Sequence, residues 1–278
     1  DRLRSRGLGD VYKRQTKEDV ELVREQLGLN KPLPQQYVSY VTGLVRGDLG
    51  TSLRTKRPVL TEVQGRYMNT VQLTLLSLTW SVIAGVLIGV WSGRNRSKWQ
   101  DYTGMTVAVS GISMPSFWIG FMLIMVFAVK YRLLPTTGAG SFKNLILPSI
   151  TLGVSIAAII ARFTRSPVIE VMKEDYVRTA RAKGLREKTV IWKHVFRNCM
   201  ISVVTVVGLQ FGFLLGGSVV TETVFAFPGL GSLLIESVNY RDYPAIQSLI
   251  LIFSLHFVLI NLVVDVLYAV LNPEIQLS

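Results

Sequence analysis

Cysteine, histidine and charge are all scarce in this chain of 278 residues. The lone Cys199 excludes an internal disulfide. The two histidines, His194 and His256, are far apart and offer no basis for a metal centre or a His-based catalytic constellation. No G-x-x-x-x-G-K-[ST] loop occurs, so the chain does not bind ATP through a P-loop. H-E-x-x-H and G-x-S-x-G are absent too, which leaves an intramembrane enzyme without support. Only 17% of residues are charged against 49% hydrophobic, and the charges cluster, leaving long windows with none. A soluble domain of this length spreads charge over its surface, so the class is integral membrane protein. Ionisable residues within the apolar runs, the usual mark of ion-coupled transport, are nearly absent. The chain crosses a membrane yet shows no energy source of its own.

What is present is apolar runs and a basic island. Five runs, at about 69–92, 102–129, 145–164, 199–221 and 243–270, each reach the roughly 20 residues a bilayer requires. Pro115, within Gly111–Ser116, is expected to kink or split the second. Asp265 lies about two turns from the end of the last, where it meets a milder cost or a partner in a neighbouring helix. The fold class is therefore all-α, a polytopic transmembrane helical bundle over 67–271, with 272–278 as a tail.

The net charge of +12 reports sidedness rather than nucleic-acid binding. Arg94, Arg96 and Lys98, with nine basic residues between Arg165 and Arg197, lie on one side. Lys130, Arg132, Lys143 and Arg241 lie on the other. The positive-inside rule puts the loop 165–198 and the C-terminus in the cytosol. Five crossings then put residues 16–66 outside as a membrane-adjacent cap, and imply a sixth helix upstream. In that cap, Val20, Leu22, Val23, Leu27 and Leu29 form one helical stripe, and Tyr37, Tyr40, Val41 and Leu44, closed by Gly47, a second. Residues 1–15 carry five basic residues and no apolar core, so they read as a disordered or non-native tail rather than a signal peptide.

Ser166–Asn198 is the polar island between the third and fourth runs. Asp175 is the expected N-cap and Gly184 the expected C′ residue of a two-turn helix, Tyr176–Lys183. Arg181 and Lys183 complement its dipole. Ala180, Ala182 and Gly184 leave part of its surface flat, so that another protein approaches the backbone closely. A short rigid helix between two spans reads as a docking element.

Other motifs carry two readings each. Gly85, Gly89 and Gly93, like Gly208, Gly212 and Gly216, recur every four residues, for bundle packing or for a subunit interface or path. Ser113 and Pro115 mark a structural kink or a substrate-facing break. Phe227–Gly231 is a turn or the start of a short helix, 232–238. His256 is a helix-packing residue or a proton carrier.

The run Glu174-Asp175-Tyr176-Val177-Arg178-Thr179-Ala180-Arg181-Ala182-Lys183-Gly184 resembles the cytoplasmic loop of permease subunits in the dipeptide/oligopeptide/nickel family of ABC importers. The wider superfamily pattern is E-A-A-x-x-x-G, of which Ala180 and Gly184 match literally. The likeness runs from about Thr16 to the end, through Arg197–Ile201, Thr221–Phe225, Phe227–Gly231, Arg241–Pro244 and Asn272-Pro273. Gly208–Gly217 is nearest the glutathione-importer branch.

The resemblance implies an ABC type-1 importer transmembrane domain in a bacterial or archaeal cytoplasmic membrane, with five of six spans visible. It implies a second homologous permease, two cytosolic ABC ATPase subunits holding ATP and magnesium, and a periplasmic or extracellular substrate-binding protein. This chain itself would hold no cofactor and no metal. Asp175, Tyr176, Arg178, Thr179, Ala180, Arg181, Ala182, Lys183, Gly184 and Leu185 would couple it to an ATPase. The implied solute is a di- or oligopeptide or glutathione, with nickel as the alternative. A membrane scaffold that recruits a cytosolic partner without transport is the reading from another class.

Overall fold

The computed structural model describes residues 30–271 together with 21, 24, 25 and 28, without the side chains at 201, 215–217 and 267–271. The stretch 1–15, the tail 272–278 and most of the first expected cap helix lie outside the described residues. Residues 1–50 and 51–278 form separate units. In the first, α1 (Leu33–Val45) starts behind Pro32, with Pro34 in its first turn. It ends at Gly47, whose φ of +81° reverses the chain. The expected stripe of Tyr37, Tyr40, Val41 and Leu44 is there, but no residue of α1 is buried.

The second unit is built from long apolar helices because only a helix satisfies its own backbone in hydrocarbon. Its elements are α2 (Val59–Arg94), α3 (Trp99–Ser113), α4 (Ser116–Leu123, continued by a π-helical segment to Lys130) and α5 (Phe142–Val171). Then follow α6 (Asp175–Ala182), α7 (Glu187–Thr189, continued by a π-helical segment to Phe196) and α8 (Arg197–Val224). Last come α9 (Leu230–Asn239) and α10 (Tyr243–Leu271).

Three helices, α2, α5 and α10, are each long and apolar enough to cross a membrane. Two bent pairs raise the number to five among the described residues. The second expected span is one of these pairs, turning by 101° between α3 and α4. Pro115 lacks an N–H and forces Met114 out of the helical region, to φ −87° and ψ 130°. The fourth bends by 56° between Glu187–Met200 and Ser202–Leu214.

Glycine spacing sets how α2 meets α5. A Cβ on Gly85 would lie 2.6 Å from the Ala157 carbonyl oxygen, and one on Gly89 2.6 Å from that of Ala161. One on Gly93 would meet Val168 Cγ1 at 2.8 Å. The contacts advance together along both helices, so α2 and α5 run parallel, backbone against backbone. Ser81 Oγ donates to the Gly153 carbonyl at 2.8 Å and Trp80 Nε1 to that of Ser149 at 2.9 Å, fixing the register. This stripe serves packing within the chain. Gly89→Ala is therefore expected to destabilise by about 1–3 kcal/mol through overpacking. Gly65→Ala in the same helix, with open space around it, is expected to stabilise by about 0.5–1 kcal/mol. Thermal unfolding of both purified variants checks the contrast.

Gly208 and Gly212 play the corresponding part between α8 and α10, against Val264 and Phe257. Those contacts run in opposite directions, so this pair is antiparallel. The surroundings of Gly216 lie outside the described residues. The core between α2, α5 and α8 is filled by Leu73, Leu147, Ile160, Leu214, Phe225 and Phe227.

Candidate functional site

α5 gives way to α6 through a three-residue turn. The N-cap of α6 is Glu174, one residue before the expected Asp175, and no side chain caps it. The Glu174 carbonyl accepts from Val177 N at 3.0 Å and Arg178 N at 3.2 Å. Asp175 thus stands inside the first turn, where its charge complements the dipole. The preference of Asp for caps is overridden because the turn from α5 delivers the chain one residue early.

At the other end Gly184, with φ +73°, is the C′ residue, as its position suggests. Its N–H donates to Arg181 O at 2.9 Å, and Leu185 N donates to Ala180 O at 3.3 Å. These are the two bonds of a Schellman motif. Lys183 is its C-cap rather than its last helical residue.

The expected flat face of Ala180, Ala182 and Gly184 is not formed. Ala180 and Val177 are buried, joining Val190, Ile191, Val195 and Cys199 in the core cluster. Ala182 and Gly184 are exposed. Three residues alternating by two point around a helix rather than along one side. Of the ten residues singled out for docking, Ala180 is turned inward. Asp175, Tyr176, Arg178, Thr179, Arg181, Ala182, Lys183, Gly184 and Leu185 are exposed.

α6 is braced laterally as well. Asn198 Nδ2 donates to Tyr176 Oη at 2.8 Å and to the His194 carbonyl at 2.7 Å. Arg181 pairs with Glu187 through two bonds of 3.0 and 3.3 Å. The helix is one block with the segment leading into α8.

Ten positions before Asp175, in the last third of α5, stands Arg165, which donates to both oxygens of Asp101 at 2.6 Å each. Asp101 is buried and also accepts from Ser92 Oγ at 2.8 Å and Ser97 N at 3.0 Å. A bidentate pair of this kind fixes orientation as well as distance. It ties the end of α2, the start of α3 and the last third of α5 together beside α6. Sequence reasoning passed over Asp101; the available signal was one acid in a loop otherwise holding Arg94, Arg96 and Lys98.

The far ends of these helices are held by three acids, also missed from sequence. Glu222, fully buried in α8, accepts from Thr70 Oγ1 at 2.8 Å and from Ser232 N at 3.0 Å. The Ser218 side chain and Gly231 backbone also bond to it. Thr70 Oγ1 in turn accepts from Leu230 N at 2.8 Å. Glu222 thus occupies the N-terminus of α9, where free N–H groups favour an anion. The Phe227–Gly231 turn therefore does start a helix, Leu230–Asn239 rather than 232–238.

Asp242 accepts from Ser52 Oγ and from Leu53 N. Glu236 accepts from Arg66 at 3.0 and 3.1 Å and from Arg54 at 3.0 Å. The Arg66 hydrogen bonds hold the Glu236 carboxyl below the ordinary glutamate range. His256 Nδ1 lies 2.7 Å from the Ile252 carbonyl and Nε2 faces the Tyr67 hydroxyl. That bonding joins α10 to α2, the arrangement of a helix-packing histidine. Ser113 and Pro115 are exposed at the α3–α4 break, Ser113 donating to Val109 O at 2.9 Å.

Comparison with known proteins agrees with this architecture. The family model described as binding-protein-dependent transport system inner membrane component matches residues 85–277. A model for the N-terminal part of such membrane components matches residues 10–74, so the likeness begins before Thr16. The glutathione transport system permease protein GsiC of Pectobacterium atrosepticum is 54% identical over 257 residues, covering 92% of this chain and 84% of that protein. GsiC of Escherichia coli strain K12 is 55% identical, with the same shares covered.

Among solved structures, an inward-facing MetNI methionine ABC transporter superposes with a TM-score of 0.65 at 18% identity. It covers 76% of this chain and 96% of its own. An amino acid ABC transporter solved with histidines gives 0.58 at 17% identity, covering 74% and 92%. At these identities the structural likeness speaks for the fold.

Proposed function

Since the chain belongs to the binding-protein-dependent transport system inner membrane components, we propose that α6 is where a cytosolic ATPase drives this permease subunit. The chain is a multi-pass component of an inner-membrane importer. One observation carries the assignment of α6. One side of it, Val177 and Ala180, is sunk in the bundle core while its other six residues are exposed. A push on the outer side passes into the bundle instead of bending the loop.

In this reading the island 165–198 and the C-terminus are cytosolic, and residues 16–66 are external. Two ATPase subunits hold ATP and magnesium, and their closure moves α6. The displacement enters α5 through the short turn at Met172–Glu174 and α8 through the π-helical segment after α7. Asp101 and Arg165 keep α3 in step with α5. A second homologous permease completes the path, and an external binding protein delivers the solute. The identity with glutathione permeases supports glutathione or a short peptide as that solute.

Ala182→Trp tests the assignment in the assembled complex. Ala182 is exposed, so tryptophan there leaves the packing of this chain intact and obstructs only a docked partner. Uptake of labelled glutathione is expected to fall by on the order of a hundredfold, while ATP hydrolysis persists uncoupled, as loss of a central interface contact predicts. Uptake at the wild-type rate would overturn the assignment. Gly184→Trp is the less clean variant, because its φ of +73° adds backbone strain to bulk.

A further inference from the structure

We propose that the cleft between α3 and α5 is a solute site, and that Arg165 takes a carboxylate of the solute there. This rests on the reading of the chain as a permease for glutathione or a short peptide. The cleft has a volume of about 480 Å³ and is lined by Tyr102, Met105, Thr106, Val109, Ser110 and Arg165, with Asp101 at the start of α3. That volume falls within the range of small-molecule sites, about 300–1,000 Å³. From Asp101 to Ser110 the helix rises by roughly 13 Å. An extended tripeptide spans about 10 Å.

The hydroxyls of α3 distinguish a polar occupant from lipid. Four stand exposed along one stripe, Thr103, Thr106, Ser110 and Ser113. The two outside the cleft turn back on their own helix. Thr103 Oγ1 donates to the Trp99 carbonyl at 2.6 Å and Ser113 Oγ to that of Val109 at 2.9 Å. The hydroxyls of the two that line it, Thr106 and Ser110, bond to none of the described residues. A hydroxyl in hydrocarbon is costly without a partner, and the carbonyl one turn back is within its reach. Hydroxyls that leave that carbonyl unused face water or a polar ligand.

Arg165 gives the cleft its preference for an acid. Asp101 takes its Nε and Nη2 at 2.6 Å each, which fixes the guanidinium plane, while Nη1 bonds to none of the described residues. The Asp101 side chain is only 5% exposed and accepts from Ser92 Oγ and Ser97 N as well, so little of it is left for a ligand ammonium. A carboxylate meets the remaining edge of Arg165 through charge-assisted bonds. The Thr106 and Ser110 hydroxyls then lie beside the peptide groups, and Met105 and Val109 against the apolar stem.

The test uses the permease pair purified with its ATPases in lipid nanodiscs. Thr106→Cys or Ser110→Cys places a thiol in the cleft, and Cys199, the only native thiol of this chain, is buried. A water-soluble maleimide is expected to label both variants, because it reacts with a thiolate in contact with water. S-methylglutathione, which has no thiol of its own, is expected to slow that labelling by about tenfold at ten times its Kd. The same compound with both carboxylates esterified is expected to leave the rate unchanged. Absence of labelling at both positions puts the cleft against lipid or protein and overturns the proposal. Labelling that S-methylglutathione does not slow, or that the diester slows as much, overturns it too. Uptake of labelled glutathione by the wild-type complex is measured in parallel, and its absence tells against the underlying permease reading instead.

Discussion

Glu222→Ala is expected to destabilise the folded subunit strongly. The carboxylate is fully buried and accepts from Thr70 Oγ1 and Ser232 N, with Ser218 and Gly231 bonding to it as well. Alanine removes the acceptor and leaves the donors in place. Each buried group so stranded costs about 1–3 kcal/mol. Two or more together approach the total stability of a typical domain, about 5–15 kcal/mol.

The loss also spreads, because Thr70 receives the Leu230 N–H at the first residue of α9. Releasing Thr70 frees α9, and with it the ion pairs of Glu236 to Arg66 and Arg54. Glu222→Gln keeps one acceptor oxygen but turns an amide donor towards other donors, so an intermediate loss is expected. Thermal melting of detergent-purified subunits orders the series wild type, Gln, Ala. An alanine variant that melts with wild type would show that the bonds around Glu222 are incidental.

The second large effect is expected from Asp101→Ala. Its side chain is 5% exposed, and removing it strands Arg165, itself only 28% exposed. Breaking a buried pair from one side costs about 3–5 kcal/mol, with the lower figure fitting the partial exposure of Arg165. The consequence is functional as well, because Asp101 joins α3 to the part of α5 that leads into α6. Transport is expected to fall further than stability alone predicts.

The double replacement Asp101→Leu with Arg165→Met separates the two. Apolar side chains of similar size replace such a pair at little net cost, so the melting temperature is expected to return towards wild type. A double-mutant cycle reads the coupling directly. If Asp101→Ala alone melts like wild type, the pair contributes nothing and the link from α3 to α5 must lie elsewhere.

Much of the α6 site was legible because its determinants are local. The position of Gly184 follows from the left-handed conformation that ends a helix, which depends on neighbours in sequence only. The short helix after the third apolar run appears within one residue of its expected bounds at either end. Its inner face was not legible. Val177 and Ala180 become the inner side through Val190, Ile191 and Val195, a contact the periodicity of eight residues does not announce. The supporting acids were harder still. Asp101 meets Arg165 across 64 positions, and Glu222 meets Thr70 across 152.

By itself the sequence determined the membrane class, the break at Pro115 and the place of the short helix in the basic island. Each depends on run length, missing N–H groups or backbone conformation, quantities that belong to a segment wherever it folds. Tertiary structure alone decided that the glycines of α2 fit α5, which side of α6 is free, and which acids hold the helix ends. Those outcomes depend on which surfaces meet. A helical repeat specifies that a face exists and leaves its neighbour to be chosen by packing over the whole bundle.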